Sequence, residues 1–378
     1  MSSTKLIAIY FPQFHNIPEN DKWWGRNFTD WELVKKAKPL FHGHNQPRVP
    51  LDIGYYNPCN KDTLKKQIEM AKKYNVYGFM FYHYWFDGKL ILEKPLETFL
   101  DNPDLDIPFC LSWANGSWTR QWVGNNEFLI EQKHTPDPIL WKAHFNYLLP
   151  FLKDKRAICI DGKPVFCIYN PDFVKKLKDM FAMWNQLAKE NGLKGIYYVA
   201  MKNYEFPDPA FLSNFDAMMK FQPREANTSS KNEHRQKIMS IKWMRALPES
   251  VQNKLNGIRL YLKSKTIIRS DYIWNHILQY AYVNNYVKVN SRLKILESAF
   301  FDWDNTARYK KKATIYTDLT LEEKKRYLLE LKKKAEDNNS PYLFFNAWNE
   351  WSESAYLEPD EKNGYAHLEI VKEIFSTK

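Results

Sequence analysis

Two glutamates three positions apart, Glu350 and Glu353, stand in the stretch Asn349-Glu350-Trp351-Ser352-Glu353, with Trp348 and Tyr356 close by. In one helical turn, residues at this spacing hold their Cβ atoms about 5–6 Å apart. Carboxyl groups about 5–5.5 Å apart suit retaining cleavage of a glycosidic bond, where one protonates the leaving oxygen and the other acts on the sugar. Like charges that close also raise one pKa, which keeps a general acid protonated near neutral pH. The flanking aromatic rings offer sugar-stacking faces and shield the pair from water. A solvated turn whose acids cap a helix would have the same spacing, so position in the fold must decide.

Eight short runs rich in β-branched and aromatic residues supply that position: LIAIYF from Leu6, YGFMFYHYW from Tyr77, PFCLSWA from Pro108, VFCIYN from Val165, IYYVAM from Ile196, DAMMKFQ from Asp216, AFFDWD from Ala299 and LFFNAWN from Leu343. Near-continuous apolar strands suit a parallel sheet covered on both faces. Helical spacing recurs between them in Leu64, Ile68 and Ala71, in Trp141, Phe145, Leu148 and Leu152, in Leu177, Phe181, Trp184 and Ala188, and in Leu328, Leu331 and Ala335. A last helix runs from His367 to Phe375. This order predicts an α/β chain folded as a (β/α)8 TIM-type barrel, one domain over residues 1–378. A doubly wound sheet usually carries a glycine-rich first turn, whereas here strand one runs into Phe11-Pro12-Gln13-Phe14-His15 and no G-x-G-x-x-G or P-loop follows.

Barrels bind ligands at the carboxyl ends of their strands. Beside the catalytic pair Glu350 and Glu353, those ends offer a set of candidate substrate-binding residues. Asp30 and Trp31 lie in the long loop after strand one, and His83 and Tyr84 end strand two. Trp113, Asn115 and Trp118 follow strand three, Tyr169 follows strand four and Gln222 ends strand six. Asp304 and Arg308 follow strand seven, and Asn349 and Trp351 follow strand eight. Asp302-Trp303-Asp304 is a D-x-D, a pattern that holds a divalent ion against a sugar-nucleotide diphosphate, but it lacks glycine-rich surroundings. His15, His42, His44 and His83 lack both a helical i, i+4 pair and companion cysteines. No metal and no cofactor is expected.

The net charge of +11 is local. Between Arg224 and Lys294 there are 14 Lys and Arg against four acids, leaving 41 bases and 40 acids in the other residues. The segment at about 224–295 replaces what should be one helix between strands six and seven. It predicts a basic helical insertion, with Val251, Leu255, Ile258 and Leu262 on one apolar stripe and Ile273, Trp274, Ile277 and Ala281 on a second. Such a face either is solvated or holds the chain peripherally at an anionic inner-membrane surface. Nucleic acid is not expected, because no recognition motif is present. Cys59, Cys110, Cys159 and Cys167 show no C-x-x-C spacing and read as reduced core residues. The apolar run from Leu6 to Phe11 is too short for a signal segment and no window reaches membrane-span length, so a cytoplasmic location is expected.

Several long stretches carry a family likeness: AIYFPQFH, WWGRNFTDWELVKKAKPLFHGHNQPRVP, YGFMFYHYWF, SWANGSWTRQW, WDNTAR and FFNAWNEWSESAYLEPD. They resemble the WbsX-type proteins of bacterial surface-polysaccharide gene clusters, which in turn are similar to the endo-α-mannosidases of glycoside hydrolase family 99. The resemblance implies a barrel and retention without a covalent glycosyl-enzyme. On the matching positions, Glu350 would take the proton of the substrate 2-hydroxyl and Glu353 would protonate the leaving oxygen. Ser352 stands where the mannosidases have His, and Ser354 where Gly is usual. The implied function is a glycan-active enzyme of O-antigen or capsule metabolism, acting on an oligosaccharide or lipid-linked glycan. Two other classes stay open: a glycosyltransferase using a nucleotide-sugar or lipid-linked donor, and a non-catalytic glycan-binding or assembly protein.

Overall fold

The computed structural model describes residues 3–119, 128–229, 266–279 and 290–376. Along the chain β1 (Lys5–Tyr10) is followed by α1 (Pro18–Trp24), α2 (Asp30–Lys36) and α3 (Lys61–Lys73). Next come β2 (Val76–Phe86), α4 (Lys94–Leu100), β3 (Phe109–Trp113), α5 (Pro138–Lys153), β4 (Lys163–Ile168) and α6 (Leu177–Glu190). Then β5 (Tyr197–Lys202) and β6 (Ala217–Lys220) lead to α7 (Ser270–Gln279) and β7, which has two segments, Lys294–Leu296 and Ser298–Ala299. The chain closes with α8 (Thr306–Tyr309), α9 (Leu321–Asp337), β8 (Tyr342–Phe345) and α10 (Ala366–Phe375).

Around the barrel every neighbouring pair is parallel, in the order β7, β6, β5, β4, β3, β2, β1, β8, β7, while two short strands off this path, Lys89–Ile91 and Cys159–Ile160, pair antiparallel with β2 and β4. The first segment of β7 pairs with β6 and the second with β8, with only Glu297 between them. Nine parallel segments therefore fill eight positions and nearly close the ring. This is the expected (β/α)8 barrel, with two departures. The connection from β5 to β6 carries a 3-10 turn, Pro209–Asn214, where strict alternation calls for an α-helix. Strand seven ends at Ala299, so the run AFFDWD lies almost wholly in the loop beyond it.

Of the predicted insertion, residues 224–229 are helical and α7 buries Ile273, Trp274 and Ile277. Trp274 stacks between Phe300 and Tyr327, which ties α7 to the barrel wall. The stripe Val251, Leu255, Ile258 and Leu262, and Ala281, lie outside the described residues. Among the described residues no helix is long and apolar enough to cross a membrane.

Strand parity sorts the side chains into two layers. Ile7 and Ile9, Met80, Tyr82 and Tyr84, Val199 and Met201, and Phe344 fill the barrel interior. Leu6 and Ala8, Phe79 and Phe81, Leu111, Tyr198, and Leu343 and Phe345 pack outward against the helices. Both faces are apolar because both are covered, and each Leu- or Phe-sized side chain fully buried contributes about 1.5–3 kcal/mol. The helices that cover the outer layer have local start signals. Asn60 and Asp137 accept from backbone N–H groups of the first turns of α3 and α5, and Thr320 with Glu323 forms a capping box at α9.

Candidate active site

Past the end of β8 the chain forms a short hairpin, Asn349–Glu350 against Ala355–Tyr356, around a 3-10 turn at Trp351–Glu353. Ser354 closes the turn with φ 51°, the left-handed region, which is the backbone reason glycine suits this position. The Asn349 amide bonds the hairpin to strand one: Phe11 N–H donates to its Oδ1 at 2.8 Å, and its Nδ2 donates to Phe11 C=O at 3.0 Å. Behind the turn lies a second carboxylate, Glu358, that accepts from Trp351 Nε1 (2.6 Å), Gln67 Nε2 (2.6 Å) and Tyr56 Oη (2.8 Å). Burial pushes the Glu358 carboxyl up to about 7, against the opposing pull of those donors. Trp351 also stacks on Tyr356 and touches Trp31, so these rings form a small core under the turn.

Above that core three carboxylates meet one guanidinium. Arg308 Nη2 lies 2.9 Å from Asp30 Oδ2 and 3.3 Å from both Glu350 oxygens, and its Nη1 lies 3.0 Å from Glu353 Oε1. Glu350 is buried and receives Gln13 Nε2 on Oε2 at 2.9 Å and Ser352 Oγ on Oε1 at 2.5 Å. Ser352 Oγ is also 3.2 Å from Asp30 Oδ2, but its single hydrogen goes to the nearer Glu350. Burial raises the Glu350 carboxyl to about 7; Arg308 opposes that rise, while Glu353 and Asp30 add to it. Glu353 has a second cation beside it, Arg224 Nη2 at 3.3 Å.

Asp304 holds this arrangement from the side. Its N–H donates to Glu353 C=O at 2.8 Å, and its Oδ1 accepts from Thr306 N at the start of α8, the helix that carries Arg308. Its Oδ2 takes His44 Nε2 at 2.7 Å and Gln46 Nε2 at 2.6 Å, and Gln46 reaches on to Ser354 Oγ at 3.1 Å. Burial works against ionisation of Asp304, but the bonds from His44, Thr306 and Gln46 outweigh it and hold its pKa below the ordinary value. Asp302 instead pairs with Lys324 (2.8 Å) and Arg48 (3.6 Å). The two aspartates of the D-x-D thus serve separate networks, and among the described residues no group of His, Cys, Asp and Glu is arranged to hold a metal ion.

The predicted site residues divide accordingly. Glu350, Glu353, Asp30 and Arg308 come together, with Tyr84 above the interior close enough to feel the charges of Glu350, Arg308 and Asp30. Tyr169 lies at the rim against Tyr82 and Phe221, and Trp118 packs edge-on to Tyr84 and Phe86. His83 and Trp113 differ from expectation, because parity turns them outward with Phe81 and Leu111. His83 Nε2 meets His144 Nε2 at 2.8 Å beside α5, burial lowering its pKa to about 3, and Trp113 Nε1 donates to Trp85 C=O. Asn115 clamps Asn170 through N–H to Oδ1 and Nδ2 to C=O bonds, and Gln222 binds Glu225 and Ala226. Asn349, Asp304, Trp31 and Trp351 are support rather than sugar-facing surface: each is buried and already bonded. Gln13, Arg224 and Glu358 were not singled out as site residues from sequence, and His44 entered only among the histidines set aside as metal ligands, since single polar residues scattered along the chain carry no local pattern.

The fold defines a class first. A chain described as "Glycoside hydrolase-like protein" superposes with TM-score 0.62 at 14% identity, over 100% of this chain and 95% of that one. The GH99 endo-alpha-mannosidase from Bacteroides thetaiotaomicron superposes with TM-score 0.54 at 12% identity, over 98% of this chain and 96% of that one. Both likenesses are of fold, the (β/α)8 barrel described above. By sequence the chain belongs to the family described as Glycosyltransferase WbsX, which it matches over residues 6–371. It is 31% identical to the uncharacterized protein WxcX of Xanthomonas campestris pv. campestris over 382 aligned positions, 97% of this chain. The chain spans about half the length of the curated relatives it matches, 49% of WxcX.

Proposed function

We propose that this protein acts on a glycosidic bond of a bacterial surface polysaccharide or its oligosaccharide precursor, with Glu350 and Glu353 as base and acid. The carrying observation is the buried Glu350, poised near neutrality and bonded to Gln13, Ser352 and Arg308. A base works best when its pKa lies near the working pH. In this reading Glu350 removes the 2-hydroxyl proton, the 2-oxygen closes on C1 as the C1–O bond to the leaving group breaks, and the Glu353 proton goes to the leaving oxygen. Water or an acceptor hydroxyl then opens the three-membered ring at C1, giving its proton to Glu353 while Glu350 returns one to the 2-oxygen. Two inversions at C1 give net retention. Arg308 holds both carboxylates, and Asp304 orients both Arg308 and Glu353.

The family description favours a second reading, transfer, in which a sugar hydroxyl replaces water at the second step or an activated donor replaces the glycan. An α-mannan oligosaccharide panel, incubated with and without sugar nucleotides, separates these outcomes. Release or transfer without nucleotide, lost in Glu350→Gln and Glu353→Gln, is the expected result. Turnover only with a sugar nucleotide would replace this mechanism, and unchanged glycan binding and in-cell function in the double variant would remove catalysis altogether.

A further inference from the structure

The reaction above leaves Arg224 without a role. Its side chain is 46% exposed and stands at the head of the helical residues 224–229, and among the described residues its guanidinium makes one hydrogen bond, the 3.3 Å contact to Glu353. The guanidinium lies over the Trp303 ring, 5.3 Å from its centre. Its helix is firmly seated: Glu225 accepts from the buried Lys202 at 2.9 Å and from Gln222 at 2.9 Å. An arginine carries five N–H donors, and Glu353 takes one of them, while Tyr169, Tyr82 and Tyr309 stand near enough to act on its charge. Inside the barrel, Tyr82 brings a buried hydroxyl that has no hydrogen-bond partner, close enough for its phenol to interact with Arg224 and Glu353. Outside, Tyr309 is followed by three consecutive exposed lysines, Lys310–Lys312.

Arg224 touches Glu353, whereas Asp30, Gln13 and Ser352 gather at Glu350. If Glu353 protonates the leaving oxygen, Arg224 stands on the leaving-group side of the bond. We propose that Arg224 is a specificity residue for an acidic substituent, a carboxylate or phosphate ester, on the sugar that occupies the leaving-group side. This rests on the roles proposed above for the two glutamates. The chemistry favours an anion over a neutral hydroxyl because charge-assisted, forked contacts to carboxylate or phosphate are roughly twice as strong as neutral ones. An aromatic bed under the guanidinium leaves its edge free for such a fork.

The test is ligand-observed NMR titration of the whole chain with D-glucuronate, α-D-glucose 1-phosphate and D-glucose at low salt. At least one acidic sugar is expected to bind about tenfold more tightly than glucose, and which one does so names the source of the anion. Arg224→Gln abolishes the preference, Arg224→Lys keeps part of it, and Glu353→Gln strengthens it by removing the competing carboxylate. Equal affinity for all three sugars, or a preference that survives Arg224→Gln, overturns the proposal. Binding is read without turnover, so the two readings fail separately. An intact acid preference with active Glu353→Gln would sink only the catalytic roles, and equal affinities with inactive Glu353→Gln would sink only the acidic subsite.

Discussion

Glu350→Gln should remove activity and yet make the protein more stable at high pH. In the folded chain the Glu350 carboxyl is raised from its ordinary 4.5 to about 7, chiefly by burial. A raised folded value means that the native state binds the proton more tightly than the unfolded chain. Its favourable contribution is complete below about pH 4.5 and is lost as pH rises through about 7. A gap of about 2.5 pH units at 1.36 kcal/mol each makes ionised Glu350 cost about 3 kcal/mol at pH 8 relative to pH 4. Glutamine carries no such dependence. It turns one N–H donor toward Gln13 or Ser352, a pH-independent loss of about 1 kcal/mol. Urea denaturation across pH 4–8 should therefore find the variant about 1 kcal/mol less stable at pH 4 and about 2 kcal/mol more stable at pH 8. Wild-type kcat/KM should rise with pH through about 7, as a base that must ionise requires. A stability difference that stays flat from pH 4 to 8 would refute the environment assigned to Glu350, whatever happened to activity.

Arg308→Met removes the cation shared by Asp30, Glu350 and Glu353 and leaves only Arg224 at Glu353, and breaking a buried pair in this way costs about 3–5 kcal/mol; denaturation at pH 5 and 8 should show the larger loss at pH 8, above the raised value of Glu350. Glu358→Ala leaves Tyr56, Gln67 and Trp351 donors unmatched and should cost about 3 kcal/mol in thermal or chemical unfolding, with kcat falling as the Glu353 turn loosens. His83→Phe should leave kcat/KM unchanged, since the ring faces α5. Because His83 stays neutral when folded, with a pKa near 3, stability is lost as pH falls below about 6.5, and acid titrations of the variant should show a shallower loss. A membrane contact through the basic segment, at about 1 kcal/mol per base, predicts that deleting residues 231–264, with eight Lys and Arg against two acids, abolishes sedimentation with phosphatidylserine vesicles while sparing turnover; no sedimentation of the whole chain would leave the segment a solvated face. The deletion stops short of Trp274, whose stacking against Phe300 and Tyr327 belongs to the fold.

The barrel was legible because its strands are buried on both faces. A run such as LIAIYF needs no partner to declare itself, and helical stripes such as Leu177, Phe181, Trp184 and Ala188 fall where they were expected. The proximity of Glu350 and Glu353 was legible for a similar reason, since both carboxylates lie within four residues of one another at a strand end. Arg308 and Asp30 were legible only as members of conspicuous stretches. Where the reading missed, the cause was usually direction. Tyr82, His83 and Tyr84 look equivalent in sequence, but alternate residues of one strand point to opposite layers, so His83 joins α5 while its neighbours enter the barrel.

By itself, the sequence determined the architecture, the placing of two close carboxylates past the end of the eighth strand, and the confinement of the excess charge to one segment. Each is a property of local pattern, of period or of count. Tertiary structure alone decided which polar residues work on the carboxylates. Gln13 reaches Glu350 across 337 positions, Asp30 reaches Arg308 across 278 and Arg224 reaches Glu353 across 129. It also decided that Trp351 supports Glu350 from beneath and leaves no open face for sugar. Charge regulation at such a site depends on burial and on distances of a few ångströms between groups distant in the chain, and only the closing of the barrel sets those distances.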